Sequence, residues 1–240
     1  MKTSKFGPSS WKSIHFITYP YKNKKCKSDH LNIFMESLGY VLPCIYCRNS
    51  YKSFCQELPC ENYLLDNNDI FYWTYCIHNK VNDKLRNQGN NVPNNPSFKS
   101  ICKKYKKINP NIWHKFLTEM IYFISFNYSN RNYNDHNIRE WYQKFFWSLS
   151  RILPSNKLRK ILQKRMEIYP IQNYLKNGND LFYWSYLITN NKKPFKDIKN
   201  YYSQFKATKC GENTHIIKYS RDTEFIPKEY TLLFDVFGRF

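Results

Sequence analysis

Apolar side chains recur along this chain every three and four residues, the spacing of helices that turn one face to a core. Trp11, Ile14, His15 and Thr18 share one such face, and Leu31, Phe34, Met35, Leu38 and Val41 share a second. Pro43 suits the first turn of a further helix, because it lacks only a donor that goes unpaired there. That helix is predicted over about residues 44–58, ended by Pro59. Another is predicted over about 69–85, with Phe71, Trp73, Tyr75, Ile77 and Val81 spread over its faces. Asn, Gly and Pro crowd residues 87–96 and mark a loop. Ser97 then caps a short helix bearing Ile101, Cys102 and Tyr105. Short connections between such helices favour an antiparallel bundle. The pattern predicts an all-α chain, with a second helical run over about 116–205 and no assignable element over 206–240.

The second run is a copy of the first. Under a shift of 111 residues, 15 of the 39 positions from 41 to 79 are identical without a gap. Leu42-Pro43 falls on Leu153-Pro154, Asn62-Tyr63-Leu64 on Asn173-Tyr174-Leu175, and Phe71-Tyr72-Trp73 on Phe182-Tyr183-Trp184. The retained positions are mostly apolar or proline, the kind that sets a fold. The lost ones carry chemistry: Cys44 and Cys47 become Ser155 and Leu158, His15 becomes Phe126, and His78 becomes Thr189. The sequence therefore predicts a duplicated unit whose second copy keeps a scaffold and drops a site. The expected domains are 1–110, 111–205 and a tail, 206–240.

Composition narrows the classes. The 240 residues are 42% hydrophobic and 19% aromatic, enough for a packed core. No apolar run approaches the roughly 18 residues of a membrane helix, and residues 1–13 carry no apolar segment of a secretory signal. Six glycines argue against glycine-loop nucleotide-binding designs. The net charge of +20 has two readings: a genome biased towards A and T, which raises Lys, Asn, Ile, Tyr and Phe together, or a polyanion partner such as nucleic acid. The basic residues are spread along the chain rather than gathered in a groove, so nucleic acid is the less favoured partner.

Seven of the eight cysteines precede residue 103, so thiol chemistry belongs to the first copy. In Pro43-Cys44-Ile45-Tyr46-Cys47-Arg48 two residues separate the thiols. Such a pair at a helix start can form an exchangeable disulfide, and the helix N-terminus and Arg48 both favour a thiolate. Half of a zinc site and an incidental pair are the alternatives on the motif alone, and a zinc site needs a second ligand pair. On a helix, His78, Val81, Asn82 and Leu85 form one stripe, suited to a flat heteroaromatic ligand with a polar edge. Gly7-Pro8-Ser9-Ser10-Trp11 with His15 sets an indole and an imidazole one turn apart, which on its own is most often packing.

Taken in order, Gly7, Trp11, His15, Tyr19-Pro20, then Leu42-Pro43-Cys44-x-x-Cys47-Arg48, then Trp73, His78-Asn79-x-Val81-Asn82 and Leu85 resemble the Erv/ALR flavin-linked sulfhydryl oxidases. Residues 96–105 resemble that family's closing helix, so the likeness covers about 6–108. It implies a four-helix bundle with a short fifth helix, followed here by the degenerate copy. It implies FAD as cofactor and Cys44–Cys47 as the active disulfide. Cys44 would accept the incoming thiol and Cys47 would face the flavin. Flavin-contacting positions would be Trp11, His15, Tyr19, His78, Asn82 and Tyr105, with Gly7, Ser10, Tyr51, Trp73, Cys76, Asn79, Leu85 and Arg86 completing the site. The implied reaction makes disulfides in thiol-bearing substrate proteins and passes electrons to dioxygen, giving hydrogen peroxide. No resident metal is expected.

Departures from the family pattern set further expectations. The family places a cysteine three residues before the His of the HNxVN motif. Tyr75 stands there, and the neighbouring Cys76 becomes the candidate structural partner of Cys102. The family's Lys-Pro before the closing helix reads Asn95-Pro96, which leaves Arg86 or Lys99 for a phosphate contact. Cys55 with Cys60, or Cys26 with Cys210, are candidate shuttle pairs, against the alternative of solitary buried thiols. The second half is similar to the degenerate oxidase-like half of quiescin-type sulfhydryl oxidases, and is expected to pack on the first without binding flavin. Assembly would be a homodimer or an internal pseudo-dimer. The composition and appended copy suggest a large DNA virus, hence host cytoplasm or virion.

Overall fold

The computed structural model describes residues 3–21, 29–64, 69–108, 110–130, 135–189 and 192–207. Among these the chain is helical throughout: α1 (Thr3–Thr18), α2 (Asp29–Val41), α3 (Ile45–Glu57), α4 (Ile70–Asn87), α5 (Phe98–Lys106), α6 (Pro110–Phe126), α7 (His136–Ile152), α8 (Asn156–Ile168), α9 (Gly178–Thr189) and α10 (Phe195–Ser203). The expected bundle and its second helical copy are both present. Of the expected tail, residues 208–240 lie outside the described residues.

Local chemistry sets the boundaries. The Asp69 carboxylate accepts from the amides of Phe71 and Tyr72 and starts α4. Ser97 accepts from the Ser100 amide and starts α5. Gly89, at φ 80°, takes the left-handed conformation that closes the turn after α4.

The element order of α1–α5 recurs in α6–α10, and so does bonding detail. The Trp73 indole donates to the Leu58 carbonyl at 2.9 Å. Its counterpart Trp184 donates to Tyr169 at 2.7 Å. Each of these bonds ties the fourth helix of a copy to the segment after its third.

The two copies meet through equivalent helices: α1 packs on α6, and α2 on α7. This is the arrangement of a two-fold symmetric dimer, made within one chain. Phe34 and its repeat counterpart Phe145 stack across the junction with centroids 5.5 Å apart. Phe16 stacks on Trp113, and Tyr40 on Trp141. The buried apolar residues of both copies form one continuous core. Phe145 is fully buried. Phe145→Ala is therefore expected to cost about 3–5 kcal/mol in urea unfolding and to preserve a single cooperative transition. Two separate transitions would show that the copies fold independently.

Candidate functional site

The turn before α3 places the paired cysteines. Cys44 is the N-cap residue and Cys47 lies in the first turn, the part of a helix that favours a thiolate. Both are buried, at 1% and 7% exposure, and Cys44 is the more enclosed. Arg48 is buried too. Its guanidinium Nη1 donates to the carbonyls of Leu42 at 2.6 Å and Pro43 at 3.1 Å, which fixes the turn that leads into Cys44. In the second copy the Ser155 hydroxyl accepts from the Leu158 amide at this position. The degenerate half thus has an ordinary helix cap where the first half has a thiol.

Cys47 opens onto a narrow, largely apolar pocket between α1, α3 and α4, lined also by Trp11, Leu42, Tyr51, Phe54, Val81, Lys84 and Leu85. Besides Ser50, which also lines it, Lys84 is the polar exception. Its Nζ donates to Ser50 Oγ at 2.5 Å. Burial pulls its pKa down, while Cys47 and Cys44 pull it up, so its ammonium lies in the field of both sulfurs. Sequence reasoning missed this residue. The signal was its place beside Leu85 on the stripe that begins at Val81, where a cation interrupts an apolar face.

A second cluster adjoins the pocket through Trp11. The Trp11 and His78 rings lie parallel, with centroids 4.1 Å apart. His15 Nε2 and His78 Nδ1 are 3.0 Å apart, and His15 Nδ1 is 3.2 Å from Thr74 Oγ1. The Thr74 hydroxyl donates to the Phe71 carbonyl at 2.8 Å. Its oxygen therefore accepts from His15 Nδ1–H, so His15 Nε2 accepts from His78 Nδ1–H. This assignment needs a neutral His15. Burial, helped by the Lys104 charge, pulls its pKa down to about 3. Tyr105 packs 5.3 Å from His15, and burial raises its pKa, which keeps the phenol neutral. Tyr19 packs edge-on to Phe71 beside Tyr105.

The remaining candidate positions divide. Asn82 is fully buried, and its amide Nδ2 donates to Asn95 Oδ1 at 2.8 Å. Among the described residues, Asn82 Oδ1, Asn79 Oδ1 and Ser10 Oγ are buried with no hydrogen-bond partner. Buried polar atoms of this kind ask for a ligand or water. With the aromatic stack and the apolar pocket, they mark this end of the bundle as the candidate ligand site. Gly7 is buried on α1 near this end. Trp73 is engaged in the scaffold bond to Leu58 that the second copy repeats. The Tyr51 hydroxyl donates to the Met35 carbonyl at 2.8 Å, while its ring lines the pocket. Arg86 pairs with Asp83 and donates to the Pro93 carbonyl, so it braces the loop that follows α4. Lys99 is exposed on α5.

The other cysteines fall into two settings. Tyr75, like Phe71 and Tyr72 of α4, packs its ring against Phe98 of α5, and its hydroxyl donates to the Pro96 carbonyl at 2.9 Å. Cys102 packs in that cluster. Cys76, one residue further on, neighbours Tyr63, Tyr72 and Lys80 instead. The 100° step of a helix accounts for the different setting. Cys55 and Cys60 both lie beside Tyr51, and burial pushes the Cys55 thiol up to about 12. Cys26 and Cys210 lie outside the described residues. No group of three or more His, Cys, Asp or Glu able to hold a metal occurs among the described residues. No described helix is long and apolar enough to cross a membrane.

Fold and site define a helical bundle with a two-cysteine centre beside an aromatic and histidine cluster. Residues 8–105 match the model of the Erv1/Alr family. A protein named FAD-linked sulfhydryl oxidase from African swine fever virus is 27% identical over 82 residues, covering 33% of this chain and 67% of that relative. A probable FAD-linked sulfhydryl oxidase from Acanthamoeba polyphaga mimivirus is 31% identical over 85 residues, covering 34% of this chain and 59% of the relative. No solved structure matches at a significant level.

Proposed function

We propose that this protein is a viral FAD-dependent thiol oxidase that makes disulfide bonds in substrate proteins. The observation that carries the reading is Cys47 lining an apolar pocket walled by Trp11, in a segment that matches the Erv1/Alr family model. A substrate thiolate attacks Cys44 Sγ of the Cys44–Cys47 disulfide, which forms a mixed disulfide and releases Cys47 as thiolate. A second substrate thiol attacks the mixed disulfide, which frees the oxidised substrate and returns Cys44 reduced. Two substrate thiols have then become one disulfide, and the cysteine pair holds two electrons and two protons. Bound FAD supplies the two-electron acceptor that side chains lack, and dioxygen takes the pair as hydrogen peroxide.

The chain's own residues divide the remaining work. Lys84 stabilises negative charge on Cys47, and Arg48 holds the turn. Trp11, His15 and His78 form the aromatic wall, and Asn79, Asn82 and Ser10 offer polar atoms to a ring edge. Cys44, at 1% exposure, has to be uncovered before an incoming thiol meets it. Residues 111–205 act as an internal partner subunit without a redox centre, since Ser155 and Leu158 replace the thiols.

The purified protein is expected to be yellow, with the visible absorption of an oxidised flavin, and to consume oxygen when given dithiothreitol. Correctly folded, colourless protein that flavin cannot reconstitute overturns the proposal, and salt-sensitive nucleic-acid binding by such protein favours a structural role.

A further inference from the structure

The second copy has no counterpart of Cys44, Cys47, His15 or His78, yet a cleft persists in it. It has a volume of about 770 Å³, within the range of small-molecule sites, and lies between α6, α10 and the end of α9. Its position is set by the repeat. Tyr122 and Thr189 stand where the first copy has Trp11 and His78. In place of a ring stack they make a hydrogen bond of 2.7 Å. The Thr189 hydroxyl donates onward to the Ser185 carbonyl, so the Tyr122 hydroxyl donates to Thr189.

α4 continues for two further turns past His78, to Asn87, and carries Asn82 and Leu85 across its site. α9 is described as far as Thr189, and Pro194 precedes α10. Lys192 and Lys193 line the cleft from the connection and Lys115 from α6. Tyr201 contributes an aromatic ring at 49% exposure, and Asp197 and Glu119 contribute carboxylates.

We infer that this cleft binds a nucleoside phosphate. Lysine ammoniums suit phosphate oxygens. An exposed tyrosine ring suits the face of a base. Asp197 accepts from sugar hydroxyls or from an exocyclic amine, and it would be out of place in a groove meant only for polyanions. The inference rests on the duplication and the cleft, independently of the thiol chemistry of the first copy.

The test uses the full chain with its flavin bound, so that the first copy's site is taken, and titrates it with a fluorescent N-methylanthraniloyl derivative of ADP. Saturable binding below about 1 mM, displaced by plain ADP, is expected. Lys192→Gln with Lys193→Gln should weaken it about tenfold, and Tyr201→Ala should weaken it also, with the visible flavin spectrum unchanged. Circular dichroism checks that these surface variants fold. No saturable binding overturns the inference. So does displacement by tripolyphosphate as effective as by ADP, which would mark a charge patch with no base recognition. Binding that survives the lysine and tyrosine changes but disappears in Trp11→Ala lies in the first copy and overturns it as well.

Discussion

Cys47→Ala is expected to abolish oxygen uptake with dithiothreitol while the purified protein stays yellow. A lone Cys44 can form a mixed disulfide with a substrate thiol, but no second sulfur remains to leave and carry the electron pair onward. The loss is at least about a hundredfold, the scale of removing a covalent catalyst rather than a binding contact. Retention of the cofactor follows from the site's construction. Cys47 is one wall of a pocket whose other walls are Trp11, Leu42, Tyr51, Phe54 and Leu85, and the histidine cluster does not depend on it. Cys44→Ala should be equally inactive. Substantial turnover in either variant, measured with an oxygen electrode against flavin content, would remove the pair from the electron path.

Acid should destabilise this fold through His15. The residue is fully buried, and its pKa is pulled from the ordinary 6.5 to about 3, first by burial and then by the Lys104 charge. Between these values the unfolded chain binds a proton that the folded chain refuses. The resulting stability is complete above about pH 6.5 and declines as pH falls towards 3. From pH 7 to pH 5 this group alone should account for about 2 kcal/mol. His15→Gln removes the titration. It also disturbs the bonds to His78 and Thr74, at a cost of about 1–3 kcal/mol at neutral pH. Urea midpoints of both proteins at the two pH values check this. Carboxylates titrate in both, so the difference isolates the histidine. Parallel pH dependences would mean that His15 is not held neutral.

The helices were legible because each has an apolar face repeated at the helical period, and the duplication was legible because scaffold residues such as Trp73 and Trp184 keep the same bond. The cysteine pair was legible because its chemistry is local, in six consecutive residues. What escaped is set by packing between distant segments. His15 and His78 are 63 positions apart, and only the crossing of α1 on α4 reveals that their rings share a proton. Lys84 reads as one lysine among many until α3 closes over it beside Cys47. Tyr75 and Cys76 differ by one step of rotation, which decides which of them meets α5 and depends on how α4 is seated. Asp83 and the Pro93 carbonyl engage Arg86 through a loop whose course the sequence leaves undefined.

Joining equivalent helices within one polypeptide frees the two sides of the junction to diverge. In an assembly of identical subunits every substitution is made twice, and a change that helps one surface is forced on the other. Here Phe34 faces its counterpart Phe145, but Tyr40 stacks on Trp141, and the positions that would mirror this pair hold His30 and Arg151. One half could discard its sulfurs without silencing its twin. A single reactive pair per folded unit also cannot be lost to a wrong bond with a duplicate of itself during synthesis.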